Sequence, residues 1–223
     1  MEHRKKQGTC ILVCAGEWTG AEVECGKEDI LVAVDNGLKY ILELGKVPDV
    51  IIGDFDSLKE ELQSEPERFK AAGIPVFHLP EEKDDTDTLY AIREGLRLGY
   101  RHFALYGALG GRLDHTIANL QCLRFIKEHG ADGVIRDKDQ EIFMLMDERR
   151  DFPKGTKGGL SLFAAGGTAR GVTIRGMKYN AENITLTPDF PIGESNEFCQ
   201  TESGSVEVKD GCVLAVVRYG GSH

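Results

Sequence analysis

Short apolar segments alternate with longer amphipathic ones from the amino terminus to about Met146. The apolar segments have the length and composition of strands, and they lie at residues 10–15, 30–34, 50–53, 76–79, 103–106, 133–136 and 142–146. The amphipathic segments predict helices at residues 38–44, 58–72, 86–98 and 115–129. Because strands that alternate with helices favour parallel pairing, this part is predicted to be α/β, with a mostly parallel, Rossmann-like sheet and helices on both faces.

The pattern changes after Asp147. Helical periodicity disappears, glycine and threonine become frequent, and short strand-like segments follow at residues 159–164, 171–175, 184–186, 205–208 and 213–218. This texture predicts a small antiparallel β-sandwich. The predicted domains are therefore residues 1-147 and 148-223, with a linker over residues 148–157.

Two acidic clusters follow predicted strands and precede predicted helices. The first contains Asp54 and Asp56, and the second contains Asp84, Asp85 and Asp87. Carboxylates gathered at the ligand edge of an α/β sheet repel one another unless a cation lies between them, and hard oxygen ligands suit Mg²⁺. Either cluster alone is equally well explained by helix capping, through Ser57 in the first and Asp84 or Asp85 in the second. The two clusters together, with the basic Lys83 beside the second, favour a magnesium-phosphate site.

A glycine-rich loop at residues 107–115 follows the strand that ends at Tyr106. Gly110 and Gly111 would let backbone N–H groups approach a phosphate chain, and Arg112 would offer several donors to its oxygens. The loop matches neither of the common nucleotide-binding glycine motifs. Its alternative interpretation is a turn in which Asp114 caps the next helix and Arg112 lies in solvent. Its position beside the acidic loops favours phosphate binding.

Several further residues are weaker candidates. His115 could act as a general base, as histidines commonly do, but at the start of a helix we expect it to support a neighbour by hydrogen bonding. Asp35 lies after a predicted strand, either in a simple turn or on the ligand edge. Trp18 and Tyr179 could stack on a heteroaromatic ring, although packing is the commoner role of an aromatic. The polar segment 193–197 is most simply a turn.

Composition excludes other classes of function. The 223 residues carry a net charge of −10, so no nucleic-acid partner is expected. No apolar run is long enough for a membrane span, and the amino terminus reads as a first strand rather than a signal peptide. The six cysteines match no zinc motif and lie mostly in apolar runs, so we expect buried thiols in a cytoplasmic protein.

Together these motifs resemble the thiamine pyrophosphokinase family, also called thiamine diphosphokinase. The resemblance spans nearly the whole chain, in the correct order, through residues 48–57, 83–87, 110–116 with Asn119, 176–179 and 195–197. It departs from the family pattern at Asn180 and Ala181, where similar sequences read Pro-Leu, and at Asn36, where glycine is common. These departures concern substrate contacts more than the acidic residues.

The resemblance implies a fold, a reaction and partners. It implies an α/β nucleotide domain followed by a β-sandwich in a homodimer, with thiamine in a cleft between the α/β domain of one subunit and the β domain of the other. It also implies ATP as co-substrate, Mg²⁺ as cofactor, and transfer of a pyrophosphoryl group to the thiamine hydroxyl, which gives thiamine diphosphate and AMP.

The resemblance also implies roles for particular residues. The predicted metal ligands are Asp54, Asp56 and Asp87, and these with Lys83 and Arg112 form the predicted catalytic set. The predicted nucleotide contacts are Asp35, Gly110, Gly111, Arg112, Asp114, His115 and Asn119. The predicted substrate contacts are Asp84, Ser195 and Asn196.

Two alternatives remain open from the sequence. One is a pyrophosphokinase for another heteroaromatic alcohol, such as a hydroxymethylpterin, which would use similar metal loops. The other is a non-catalytic sensor of nucleotide or thiamine. The segment at Ser195 and Asn196 favours thiamine, and the retained carboxylates favour an enzyme.

Overall fold

A computed structural model describes residues 6–55, 62–80 and 84–220. The chain divides into two compact units, Met1–Lys138 and Asp139–His223. The strand predicted at residues 142–146, the last one of the predicted first domain, therefore falls in the second unit. In the part of the chain described, no helix is long and apolar enough to cross a membrane.

The first unit contains a six-stranded parallel sheet. Its strands are β1 (Thr9–Val13), β2 (Ile30–Val34), β3 (Val50–Gly53), β4 (Val76–His78), β5 (His102–Tyr106) and β6 (Asp132–Arg136). They lie in the order β6-β5-β1-β2-β3-β4, and Ile11 of β1 pairs with both Leu31 and Ala104. The strand order reverses between β1 and β5, where a ligand crevice is expected. This sheet agrees with the α/β prediction, although its order differs from the usual Rossmann order of 3-2-1-4-5-6.

Helices cover both faces of this sheet. They are α1 (Gly37–Glu43), α2 (Glu65–Ala71), α3 (Asp87–Arg97) and α4 (Leu113–Glu128). On one face, Ile11 and Ala104 share a buried cluster with Leu38 of α1 and Phe69 of α2. On the other face, α3 approaches β5 so closely that a Cβ on Gly95 would lie 2.6 Å from the Phe103 ring. Alternate side chains of each strand thus face opposite helix layers, as the period of two requires.

The helix starts differ from the predicted caps. Thr86 is the N-cap of α3, and its hydroxyl accepts a hydrogen bond from the N–H of Leu89 at 3.2 Å. The prediction that Asp84 or Asp85 caps this helix was therefore wrong. Thr86 lies closer to the helix and has the extended backbone conformation that an N-cap residue adopts. In α4, Arg112 occupies the N-cap position and Asp114 lies inside the first turn. Ser57 and residues 58–61 lie outside the described residues, and α2 begins only at Glu65.

The second unit contains two antiparallel sheets. Its strands are β7 (Gln140–Met146), β8 (Arg149–Phe152), β9 (Gly158–Ala164), β10 (Ala169–Arg175), β11 (Ala181–Leu186), β12 (Asn196–Glu197), β13 (Gly204–Glu207) and β14 (Cys212–Tyr219). One sheet has the order β12-β9-β14-β7 and the other β11-β10-β13-β8. Antiparallel pairing in this part of the chain agrees with the prediction.

Two strands of the second unit were not predicted. The segment Arg149–Phe152, which lies in the predicted linker, forms β8 and pairs with β13 at the edge of its sheet. Three of its four residues are exposed, so it lacks the apolar alternation by which strands are recognised. Asn196 and Glu197, in the segment predicted to be a turn, pair with Leu160 and Gly159 of β9.

All six cysteines are free thiols. Cys10, Cys14, Cys122 and Cys212 are buried, as predicted, whereas Cys25 is exposed and Cys199 is partly exposed. Burial raises the pKa of Cys10 and Cys14 to about 12. The buried thiols are therefore packing groups rather than nucleophiles.

Candidate active site

A pocket of about 520 Å³ opens at the carboxyl ends of the parallel strands in the first unit. It lies beside the reversal of strand order, where α/β sheets commonly bind ligands. Among the described residues, its lining consists of Cys14, Ala15, Gly16, Val34, Asp35, Asn36, Asp54, Asp85, Thr86, Asp87, Thr88, Ala108, Gly110, Gly111, Arg112, His115, Ala118 and Asn119. Most of the residues predicted to contact nucleotide or metal therefore share one cavity.

Two of the predicted metal ligands, Asp54 and Asp87, lie in this pocket. Asp54 directly follows β3, and Asp87 is the first residue of α3. The next residue after Asp54, Phe55, is buried and adopts a left-handed conformation with φ of 64°. A bulky residue adopts this conformation only at a cost of roughly 1–3 kcal/mol, so the turn after β3 is held in place by its surroundings. Its ring contacts His78 edge-on, with the centroids 4.9 Å apart.

The donor set of the pocket fits a hard divalent cation, because the carboxylates of Asp54, after β3, and Asp87, at the start of α3, both belong to its lining. The third predicted ligand, Asp56, and the predicted phosphate contact Lys83 lie outside the described residues. Within the residues described, no group of three or more His, Cys, Asp or Glu side chains could hold a metal ion. The predicted three-aspartate set thus stays a prediction.

The turn after β2 brings Asp35 and Asn36 into the pocket. The N–H of Asp35 donates to the carbonyl of Ile52 at 2.7 Å, which joins this turn to β3. A Cβ on Gly37 would lie 2.5 Å from the carbonyl carbon of Val13 and still closer to its oxygen. Only glycine therefore fits where α1 begins against β1. Asn36 Oδ1 is buried and meets no hydrogen-bond donor among the described residues.

The glycine-rich loop between β5 and α4 forms another wall of the pocket. Gly107, Gly110 and Gly111 all have positive φ, of 57°, 75° and 63°, which explains the choice of glycine at these positions. Asn119, buried in α4, donates from Nδ2 to the carbonyl of Ala108 at 2.8 Å. This contact holds the loop against the helix, a role that sequence alone could not distinguish from direct nucleotide binding.

Arg112 and Asp114 form an ion pair at the pocket. Arg112 Nη2 and Asp114 Oδ2 are 2.6 Å apart, and both side chains are largely exposed. The hydrogen bond from Arg112 lowers the pKa of Asp114 and raises the pKa of the guanidinium. Asp114 also accepts from the N–H of His115 at 3.1 Å. Arg112 is therefore accessible to a ligand, with Asp114 as its partner in the absence of one.

The second acidic cluster divides into separate roles. Asp85 lines the pocket and pairs with Arg93, eight positions further along the chain in α3, while Asp87 lines the pocket beside Thr88. Asp84 is exposed and is not among the described residues that line the pocket. Its predicted contact with substrate stays a prediction.

The two predicted substrate contacts in the second unit differ sharply in burial. Asn196 is buried and makes three hydrogen bonds: Oδ1 accepts from the N–H of Tyr179 at 3.0 Å and of Glu197 at 2.9 Å, and Nδ2 donates to the carbonyl of Tyr179 at 2.8 Å. Ser195 is exposed, with φ of 59°, and its N–H donates to Ser161 Oγ. Tyr179 is 63% exposed. Asn196 thus holds the backbone of Tyr179, and much of the Tyr179 residue is open to solvent.

The sequence interpretation missed one contact to the pocket wall and left one aromatic role open. Glu17 Oε1 accepts from the N–H of Gly111 at 3.0 Å, a contact across 94 positions that no local pattern indicates. Trp18 stacks on Tyr40 with ring centroids 5.1 Å apart, and the hydroxyl of Tyr40 donates to the carbonyl of Gly16. Of the two interpretations of Trp18, packing is the one observed.

The fold and pocket define an α/β protein with an acidic, glycine-bordered ligand pocket and a separate antiparallel β unit. A family model described as the catalytic domain of thiamin pyrophosphokinase matches residues 22–134, and one described as its vitamin B1 binding domain matches residues 150–213. The chain belongs to the thiamine pyrophosphokinase family.

Individual relatives agree with this assignment. A thiamine pyrophosphokinase of Bacillus subtilis is 29% identical over 188 residues, covering 83% of this chain and 85% of the relative. The crystal structure of thiamine pyrophosphokinase from Bacillus subtilis matches with a TM-score of 0.82 at 25% identity, over 95% of this chain and 99% of that one. The fold also matches thiamin pyrophosphokinase from Geobacillus thermodenitrificans, with a TM-score of 0.83 at 24% identity, over 97% and 99% of the two chains.

Proposed function

We propose that this chain transfers the pyrophosphoryl group of ATP to the hydroxyl of thiamine. The hydroxyl oxygen attacks the β-phosphorus, the bond from that phosphorus to the oxygen bridging it to the α-phosphorus breaks, and AMP leaves as thiamine diphosphate forms. The hydroxyl proton passes to a base. The observation that carries the proposal is the match to both family models in the correct order.

The acidic wall of the pocket supports a metal-assisted reaction. Asp54 and Asp87, with Asp56, would hold Mg²⁺ through carboxylate oxygens, which such an ion prefers. The ion would neutralise charge on the phosphate chain. Because pyrophosphoryl transfer spreads charge over several oxygens, positioning and electrostatics should supply most of the rate acceleration.

The basic and glycine-rich wall supports phosphate binding. Arg112 is exposed at the pocket and presents a planar set of donors that matches phosphate oxygens. On ligand binding it would exchange Asp114 for phosphate, with Lys83 as a second cation. The start of α4, together with Gly110, adds backbone N–H groups and a favourable partial charge. His115 would support this end of the helix rather than act as a base.

We propose that the first unit binds nucleotide and metal and that the second unit contributes thiamine contacts. Tyr179 is the best-placed candidate for contact with a heteroaromatic ring, because its side chain is exposed while its backbone is held at both N–H and carbonyl by Asn196. Ser195, the sequence neighbour of Asn196, is exposed and can offer a hydroxyl. Asn196 would then act by positioning rather than by touching thiamine.

Neither of the two alternatives, a pyrophosphokinase for another acceptor or a non-catalytic sensor, is supported by the family models or the pocket. Both matched family models are thiamin pyrophosphokinase models, and two pocket carboxylates of the predicted set are present. The homodimer and the cytoplasmic location rest on the family resemblance and composition alone. Light scattering on the purified protein would test the dimer directly.

Substitution of Asp54 by Asn tests the proposal. Incubation with ATP, Mg²⁺ and thiamine should give thiamine diphosphate and AMP, identified by mass. Asp54→Asn should lower this turnover at least about a hundredfold while the thermal unfolding midpoint stays unchanged, because a charge-stabilising group at the reacting phosphates is lost.

The matched control is Asp132→Asn, at the amino end of β6 and hence at the opposite edge of the sheet. It should keep normal turnover. Near-normal turnover by Asp54→Asn would contradict the assignment, and thiamine monophosphate with ADP as products would contradict the one-step transfer.

A further inference from the structure

The glycine loop of the pocket is tied to the segment after β1 by a series of contacts. The N–H of Gly16 donates to the carbonyl of Gly107 at 2.7 Å, and the N–H of Glu17 donates to the carbonyl of Leu109 at 2.8 Å. These bonds continue the pairing of β1 with β5 beyond the strands themselves. The segment after β1 therefore runs directly beside the first half of the loop.

Glu17 extends this connection with its side chain. Its Oε1 accepts from the N–H of Gly111 at 3.0 Å. A Cβ on Gly110 would lie 2.7 Å from Cβ, Cδ and Oε2 of Glu17, so the carboxylate packs flat against that glycine. Gly110 and Gly111 are consecutive left-handed residues, with φ of 75° and 63°. Such a pair needs an external contact to keep a single conformation, since glycine restricts the backbone least.

Glu17 reaches the loop from outside the pocket. Gly110, Gly111 and Arg112 belong to the lining, whereas Glu17 does not, among the residues that the structure describes. A carboxylate facing a phosphate site from inside would compete with the ligand for the N–H of Gly111. Because Glu17 is not part of this lining, its carboxylate engages that N–H without occupying the pocket and fixes the residues on either side.

We propose that Glu17 is a positioning residue that holds the glycine loop in the shape that binds the phosphate chain of ATP. Glu17 fixes Gly111 and thereby orients Arg112, the next residue, while Asn119 fixes Ala108 at the other end of the loop. In this arrangement the N–H of Gly111 is a structural donor, and Arg112 and the start of α4 supply the phosphate contacts. The assignment rests on the proposed function for its link to ATP.

Three variants of the full chain test this role. Glu17→Ala removes the acceptor, Glu17→Gln keeps an oxygen at the same position without the charge, and Glu22→Ala removes an exposed glutamate of the same segment as a control. Glu17→Ala should raise the KM for ATP about tenfold, the effect of losing one hydrogen bond to a charged group. Its KM for thiamine should stay unchanged, and Glu17→Gln and Glu22→Ala should resemble the original protein.

Hydrogen–deuterium exchange of the peptide covering residues 107–113 gives a readout that does not depend on catalysis. Exchange should be faster in Glu17→Ala and near normal in the other two variants, with unchanged circular dichroism in all three. An unchanged KM for ATP in Glu17→Ala would overturn the proposal. A lower KM for ATP would also overturn it, because it would show that Glu17 competes with phosphate. If the original protein makes no thiamine diphosphate, the proposed function fails, and unchanged exchange in Glu17→Ala would separately refute the loop contact.

Discussion

Replacement of Asn196 by Ala separates a positioning role from direct substrate contact. In the second unit this buried amide satisfies the N–H and carbonyl of Tyr179 and the N–H of Glu197. Alanine would leave three backbone groups without their partners. At a net value of about 1 kcal/mol for each hydrogen bond, the expected loss of unfolding free energy is about 2–4 kcal/mol.

The assay is urea denaturation followed by two probes. Circular dichroism follows the strands of both units, whereas the fluorescence of Trp18, the single tryptophan of the chain, reports on the first unit alone. The circular dichroism transition should move to lower urea in Asn196→Ala. The KM for thiamine should rise as well, because Tyr179 loses its fixed backbone.

Ser195→Ala is the matched control, since the Ser195 contact to Ser161 uses its backbone N–H and survives the substitution. It should leave the transition where it is. Unchanged stability in Asn196→Ala together with a raised KM for thiamine would refute the reasoning. It would mean that the Asn196 amide forms its hydrogen bonds with the substrate rather than with Tyr179.

Two further predictions concern the first unit and the thiols. Gly37→Ala should impair the pocket and lower the free energy of unfolding by about 1–3 kcal/mol, because the new Cβ would overlap the Val13 carbonyl. Gly26→Ala is the control and should be tolerated, since its Cβ would meet only the Asp29 side chain, at 3.3 Å. Equal thermal unfolding midpoints for the two variants would contradict the steric argument. In native protein at pH 8, maleimide labelling measured by mass should modify the exposed Cys25 first and leave the buried Cys14 unlabelled. The pKa of Cys14, about 12, leaves a thiolate fraction of about 10⁻⁴ at that pH, so its labelling should increase as pH rises. Rapid labelling of Cys14 at pH 8 would show that the thiol is not buried.

Local periodicity was sufficient to predict most elements of the chain. The strands at residues 30–34 and 50–53 begin and end where predicted, because their apolar side chains are buried on both sheet faces and are bounded by turn residues. The strand β8 was missed because an exposed edge strand carries no such signal. Its pairing with β13 depends on a partner more than 50 positions away.

The candidate site shows the same division. Glycine and aspartate at strand ends indicated the pocket walls, and Asp35, Asp54, Asp87, Gly110 and Arg112 do line one cavity. Sequence could not tell which residue caps α3, because Thr86 and the preceding aspartates are all capping types. Only the backbone conformation at Thr86 decides between them.

The sequence by itself determined the order of the elements, the change from α/β to antiparallel β structure, and the residue types at the ligand edge. These properties follow from side-chain periodicity and from motifs within a few positions of one another. Only the tertiary structure decided that Asn196 supports Tyr179 and that Glu17 supports Gly111, contacts across 17 and 94 positions. Such contacts depend on how distant segments meet, and a polar side chain reads the same in sequence whether it faces a ligand or another loop.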